Sequence, residues 1–152
     1  MIPIANSTQP SVIESDWQSL FCAHTAAVRD ALATVVMAHR TEISAAFYQT
    51  MLENAHAQVF LSHEAVEQRL QYSMQQWLEK LFSCQNSQHF AEVLALQRHI
   101  GEVHSRVEVP VNLVARGARL LKREIARHLL QHDLSKETLL DALQYADSLI
   151  DL

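Results

Sequence analysis

The sequence predicts an all-α fold, and two features of its composition support that prediction. Of its 152 residues 49% are hydrophobic, and the chain has only two glycines and three prolines. Pro3 and Pro10 lie near the start, so Pro110 is the one proline in the body of the sequence. Because glycine and proline disfavour helix interiors, a chain almost free of them favours long helices. Apolar residues also recur at spacings of three and four, which is the helical period.

Length, charge and cysteine content exclude several classes of protein. The length suits one domain with a sizeable core. The net charge is −5 and no run of lysine and arginine is present, so nucleic acid is not an expected partner. No apolar run reaches the roughly 20 residues of a membrane span, and the uncharged start lacks the basic residues of a secretory signal. Cys22 and Cys84 fit neither a metal motif nor a disulfide framework, which favours a cytoplasmic protein.

The pattern along the chain predicts six helices after a flexible tail at residues 1–14, and one domain over residues 15–152. The predicted starts are Ser11 or Ser15 for the first helix, Thr41 for the second, Ser62 for the third, Gln88 for the fourth, Pro110 for the fifth and Ser135 for the sixth. A polar loop at residues 83–87 separates the third helix from the fourth. The sixth helix is still apolar at Leu152, so we expect it to continue into another domain.

The stretch from Gln97 to Pro110 holds the most informative histidine. Its apolar residues recur with a helical period, at Val93, Leu96, Ile100, Val103 and Val107. At about 100° per residue, His104 lies roughly 50° from the centre of that apolar arc, and His99 lies at its edge, about 90° away. His104 is therefore expected to point largely inward. There its ring needs either an ordinary hydrogen-bond partner or a metal ion.

Two other stretches predict the opposite wall of a pocket that faces His104. One is the third helix, which carries Leu70, Ser73, Met74 and Trp77. The other is the pair Phe47-Tyr48 on the second helix. Each apolar residue in this set also fits a role as plain core, and Tyr48 fits a core tyrosine whose hydroxyl reaches the surface.

Taken together, these stretches resemble the sensor domain of globin-coupled sensors, and among them that of the oxygen-sensing diguanylate cyclases. The resemblance covers about Asp16 to Leu152. It is carried by Phe47-Tyr48, Phe60-Leu61-Ser62, Val66-Glu67-Gln68-Arg69-Leu70, Met74-Gln75-Gln76-Trp77, and above all Glu102-Val103-His104-Ser105-Arg106-Val107 with Pro110.

The resemblance implies a globin fold with a non-covalent haem b, and the chain has no Cys-x-x-Cys-His motif for covalent attachment. His104 would be the iron ligand through Nε2, Tyr48 would donate a hydrogen bond to O₂, and Leu70 would exclude water. CO and NO are implied as further ligands. Ser73 would be a weaker polar contact and Phe60 would stack on the porphyrin. The implied cofactor-binding set is Phe47, Tyr48, Phe60, Leu70, Ser73, Met74, Trp77, His104 and Val107, with His104 as the metal ligand.

The other histidines are expected to lie mostly at the surface. They are His24, His39, His56, His63, His89, His99, His128 and His132. His63 falls about two turns before Leu70, too early to lie over the iron, and His99 is the main rival of His104. A di-iron carboxylate centre needs paired Glu-x-x-His motifs, and the chain has one, from Glu53 to His56.

The resemblance implies a sensor that regulates a C-terminal output domain, with a diguanylate cyclase, which makes cyclic di-GMP from GTP, favoured over a histidine kinase or a chemotaxis transducer. Two further readings are open: a haem-free globin-like interaction domain and a plain oxygen carrier. Any catalytic activity would belong to the output domain. The apolar fifth and sixth helices, with Gly117 and Ala118 allowing close approach, predict a twofold homodimer through a four-helix bundle.

Overall fold

The computed structural model describes residues 11–62 and 66–152, and within these ranges it confirms the all-α fold class. Six α-helices follow one another: α1 (Val12–Ala23), α2 (Ala26–Leu52), α3 (Gln71–Phe82), α4 (Ser87–Arg106), α5 (Val111–Gln131) and α6 (Lys136–Ile150). A 3₁₀ turn at Ala57–Val59 and a π-helical turn at Val66–Leu70 lie between α2 and α3. The predicted start of the third helix after Ser62, with His63 at its beginning, falls on residues 63–65, which lie outside the described ranges.

The prediction of one long first helix and a new start at Thr41 is wrong. The break lies at His24-Thr25, where α1 and α2 meet at 105°, and α2 continues through Thr41 without interruption. At the break the Thr25 side chain caps α2 by accepting a hydrogen bond from the Val28 N–H. The Arg29 guanidinium donates to the carbonyl oxygens of Phe21 and His24 and lies 3.7 Å over the Phe21 ring. The Arg29 side chain, one helical turn after Thr25, thus stabilises this corner.

The other helix starts agree with the sequence pattern. Ser11 caps α1 through the Glu14 N–H, so α1 begins at Val12, inside the predicted tail. The Asn86 side chain caps α4 through the His89 N–H, and the Ser135 hydroxyl caps α6 through the Thr138 N–H. Pro110 directly precedes the first residue of α5. Polar caps of this kind satisfy N–H groups that have no partner inside the helix.

The long helix α2 occupies the centre of the fold and packs against α3, α5 and α6. Its fully buried residues include Leu32, Val36 and Ile43. α1 packs on α4 and α6, and the stacked rings of Trp17 and Phe90, with centroids 4.8 Å apart, join α1 to α4. None of the helices in the described ranges could cross a membrane alone, and only α1 and α2 taken together reach the necessary length and hydropathy.

Candidate functional site

Phe47 and Tyr48 are buried near the end of α2, where α5 approaches most closely. Their rings meet edge to face with centroids 4.9 Å apart. Gly117 of α5 faces the Phe47 ring, and a Cβ atom at Gly117 would lie 3.3 Å from two of its carbon atoms. A Cβ atom at this distance would require the Phe47 ring to move by a few tenths of an ångström, so glycine permits the close packing of α5 on Phe47 beside Tyr48.

The Tyr48 hydroxyl is a neutral donor with no protein partner among the described residues. The side chain is 9% exposed, and burial raises the pKa of Tyr48 to about 12. Its O–H group therefore stays protonated at physiological pH and can donate a hydrogen bond to a ligand.

The wall supplied by α3 and the turn before it is only partly buried. Leu70, Met74 and Trp77 pack against the core with part of their surface open. The Trp77 Nε1–H is buried and has no hydrogen-bond partner within residues 11–62 and 66–152. An unsatisfied buried donor costs roughly 1–3 kcal/mol, which a bound ligand with an acceptor would recover. Ser73, by contrast, is exposed, so it does not continue the buried stripe that the sequence predicts.

His104 lies in the last turn of α4, at the corner that leads into α5. The corner is closed by a hydrogen bond of 2.9 Å from the Val109 N–H to the His104 carbonyl oxygen, and Glu108 adopts a left-handed φ of 58° there. The ring is half-buried, and burial lowers the pKa of His104, which favours the neutral imidazole. In the described part of the chain no residue hydrogen-bonds to this ring, and the neighbouring Ser105 does not do so either.

The remaining predicted site residues differ in burial. Phe60 is half-buried and follows the 3₁₀ turn. Val107 is 48% exposed, so it lies outside the apolar arc in which the sequence pattern places it. The rival ligand His99 is exposed. The roles of these residues toward a cofactor stay predictions.

The helix that carries His104 makes at most weak contact with the helix that carries Tyr48 in the described part of the chain. α4 packs mainly against α3 and α1, whereas α2 packs against α3, α5 and α6. A flat cofactor between these two helices stays a prediction. The donor set fits haem in particular: a neutral imidazole for the iron on one side, a phenol donor on the other, and an unpartnered indole N–H on the wall.

His128 is the buried exception to the prediction that most of the other histidines lie at the surface. This residue is 2% exposed on α5, where its ring stacks on that of His39 of α2 at a centroid distance of 4.3 Å. The sequence alone did not indicate this pairing, because the two residues lie on different helices. His56 and His89 are exposed as expected.

Comparison with known proteins gives one consistent result. The sequence profile of the Protoglobin family matches residues 20–152. The diguanylate cyclases DosC of Shigella flexneri and of Escherichia coli K12 are each 28% identical over 140 residues, or 92% of this chain. The chain spans 36% and 30% of their lengths, respectively. The crystal structures of the E. coli DosC globin domain, ferric and ferrous, each superpose with a TM-score of 0.87 over 93% of this chain and 94% of that domain, at 28% identity.

Proposed function

Because this chain belongs to the protoglobin family, we propose that it is a haem-based oxygen-sensing domain in which His104 binds the iron of haem b and Tyr48 contacts the gas ligand. The observation that carries the proposal is the neutral, partnerless His104 imidazole on a helix that makes at most weak contact with the one holding Tyr48 in the described part of the chain. The likeness to the DosC globin domain, which is solved in ferric and ferrous forms, supports the same chemistry.

Each of these residues performs a separate task. His104 ligates through Nε2, and its Nδ1–H is left to donate within the pocket, which would fix the tautomer. When bound, haem iron supplies an open coordination position for a diatomic gas. Tyr48 donates a hydrogen bond to that gas, and a bond of this kind contributes about 1–2 kcal/mol, or roughly 5- to 30-fold in affinity. Leu70 and Met74 provide apolar surface that excludes water.

The test compares His104→Ala with His99→Ala in protein reconstituted with haem. His104→Ala should lose stable haem, or keep it only when imidazole is added, whereas His99→Ala should retain the five-coordinate ferrous spectrum. The visible absorption spectrum reports both outcomes. If the unaltered chain takes up no haem, the proposal is wrong and the haem-free interaction domain is favoured. If the two variants exchange their behaviour, His99 is the ligand.

We also propose that the domain regulates an output domain in the cytoplasm, with a diguanylate cyclase favoured. Support comes from the DosC relatives, whose names give that activity and of which this chain matches about a third. The measurement is synthesis of cyclic di-GMP from GTP by the full-length protein, with and without O₂. Equal rates in both conditions would refute regulation by oxygen, and kinase activity in place of cyclase activity would favour a histidine kinase.

A homodimer through α5 and α6 completes the proposal. Large apolar side chains are exposed on these two helices: Val111 (84%), Val114 (43%), Leu130 (64%) and Leu140 (57%). Leu149 lies on the opposite face of α6 from Leu140 and is fully buried in the monomer, so it is unsuited to a test of dimerisation. Leu140→Glu should convert the dimer to a monomer in sedimentation, with unchanged helix content. A variant that stays dimeric would place the interface elsewhere.

A further inference from the structure

Three histidines and one glutamate meet where α2 passes the end of α5. This histidine cluster consists of His39 and Glu42 on α2, His128 on α5, and His132 directly after α5. His39 Nδ1 lies 3.6 Å from Glu42 Oε1, and His128 Nε2 lies 3.9 Å from Glu42 Oε2. His39 Nε2 lies 2.9 Å from His132 Nε2. The chain thus gathers three imidazoles and a carboxylate from two helices that are far apart in sequence.

His128 gives the cluster its unusual character. The residue is 2% exposed, and neither of its ring nitrogens has a hydrogen-bond partner among the described residues. The Glu42 oxygen at 3.9 Å is too distant for a hydrogen bond. Burying an imidazole ring whose two nitrogens lack hydrogen bonds costs folding free energy, unless another group binds to those nitrogens. Burial, followed by the nearby His39 and Arg127, lowers the pKa of His128 against the opposing effect of Glu42 and Glu124, so the ring is neutral.

His39 has one free ring nitrogen, and because its ring is stacked on that of His128, one of the two rings must rotate for both nitrogen lone pairs to reach the same ion. Because its Nε2 is at hydrogen-bond distance from His132, an Nε2–H that donates to His132 leaves the Nδ1 lone pair free. That Nδ1 atom is buried and has no hydrogen-bond partner in the ranges described. A ligating histidine that donates its other N–H to a neighbour is the usual arrangement around bound metal ions.

The spacing of the three free donor atoms matches a small metal ion. One donor atom each from His39, Glu42 and His128 lies within 4.8 Å of the others. Bonds of about 2.0–2.2 Å in a tetrahedral zinc site place the ligand atoms about 3.3–3.5 Å apart. The observed 3.6 Å to Glu42 Oε1 and 3.9 Å to Glu42 Oε2 exceed this by a few tenths of an ångström and end on different oxygens of the carboxylate. The Glu42 side chain is 65% exposed and free to close that difference.

We propose that His39 Nδ1, the Glu42 carboxylate and His128 Nε2 bind a divalent transition-metal ion of the zinc class, with water as the fourth ligand. Two nitrogen donors and one oxygen donor suit Zn²⁺ and disfavour Mg²⁺ and Ca²⁺, which require oxygen ligands. The Arg127 guanidinium nearby is neutralised by Glu124 at 2.7 Å, so the cluster offers the cation one net negative charge. The ion would connect α2, which carries Phe47 and Tyr48, to α5.

The test adds Zn²⁺ alone to tag-free, haem-loaded protein and measures binding by calorimetry and the melting temperature. At about 100 times the dissociation constant, zinc should raise the melting temperature by about 5–10 °C, because only the folded chain assembles the site. The haem absorption spectrum should not change, which separates this site from His104. Ca²⁺ at the same concentration should have no effect.

Variants distinguish the cluster from adventitious binding. Glu42→Gln and His39→Ala should each weaken zinc binding at least 10-fold, and both fold because these residues are not fully buried. Glu53→Gln is the matched control, because Glu53 is an exposed glutamate three positions from a histidine, His56, as Glu42 is from His39, and the zinc affinity of this variant should equal that of the unaltered chain. No zinc binding by the unaltered protein, or equal affinity in Glu42→Gln, His39→Ala and Glu53→Gln, would overturn the proposal.

Discussion

Gly117→Ala tests whether the close approach of α5 to Phe47 limits the size of the side chain that position 117 can accommodate. Alanine in place of glycine within a helix stabilises by about 1 kcal/mol through backbone propensity. At Gly117 the new methyl group would lie 3.3 Å from the Phe47 ring, closer than ordinary van der Waals contact. The ring is buried against Tyr48 and must move by a few tenths of an ångström, and overpacking of this kind costs roughly 1–3 kcal/mol. The two effects nearly cancel, so we expect little or no gain in stability.

Gly101→Ala supplies the matched control, because Gly101 also lies inside a helix but a Cβ atom there would meet no neighbouring atom within 4 Å. That variant should gain the full propensity term of about 1 kcal/mol. The difference in stability between the two variants is therefore about 1–3 kcal/mol, or roughly 2–12 °C in melting temperature. Valine at the same two positions should increase the difference in stability between them, because its larger side chain clashes more strongly with Phe47. Equal stabilisation by both alanine variants, with no widening for valine, would refute the close contact between α5 and Phe47.

Burial of titratable side chains leads to two further predictions. Cys22 is exposed, whereas burial raises the pKa of Cys84 to about 11, so at pH 8 only about one Cys84 thiol in 1,000 is ionised. A disulfide reagent should modify Cys22 at least 100-fold faster than Cys84, and equal rates would contradict the burial of Cys84. Burial also raises the pKa of Tyr48 and of Tyr145 to about 12. Because the folded pKa exceeds the unfolded value near 10, each tyrosine contributes stability below pH 10 that is lost between about pH 10 and 12, up to about 2–3 kcal/mol. Denaturant unfolding at pH 9 and pH 11.5 measures the loss, and unchanged stability at the higher pH would contradict it.

The sequence predicted those helix boundaries that depend on local chemistry. Ser135 caps α6 as predicted, and α4 begins at Ser87, one residue before the predicted Gln88, with Asn86 as a cap that was not predicted. The corner at His24-Thr25 was missed because it has neither glycine nor proline and depends on the Arg29 side chain reaching back over two carbonyl groups. The start predicted at Thr41 was wrong because the burial of Val36 and Ile43 on either side continues the helix.

The residues of the candidate haem site could be predicted from the sequence, whereas the histidine cluster could not. His104 and Tyr48 were recognised from the motifs around them, and the structure adds that neither the His104 ring nitrogens nor the Tyr48 hydroxyl has a hydrogen-bond partner within the described residues. The cluster depends on how α2 packs against α5, which no local pattern specifies. Its sequence signal is limited to two pairs on single helical faces, His39 with Glu42 and His128 with His132, three and four positions apart.

The most direct test of oxygen sensing by this domain is the rate at which O₂ and CO leave the ferrous haem-loaded protein, with and without the Tyr48 hydroxyl. We predict that the unaltered domain binds O₂ reversibly and that Tyr48→Phe accelerates O₂ dissociation about 10-fold, because about 1.4 kcal/mol of hydrogen bonding is lost. CO dissociation should change less than about 2-fold, because a hydrogen bond favours the ligand that carries more negative charge. Equal acceleration for both gases would mean that Tyr48 acts through its bulk, and an unaltered domain that binds no O₂ would contradict the proposed function.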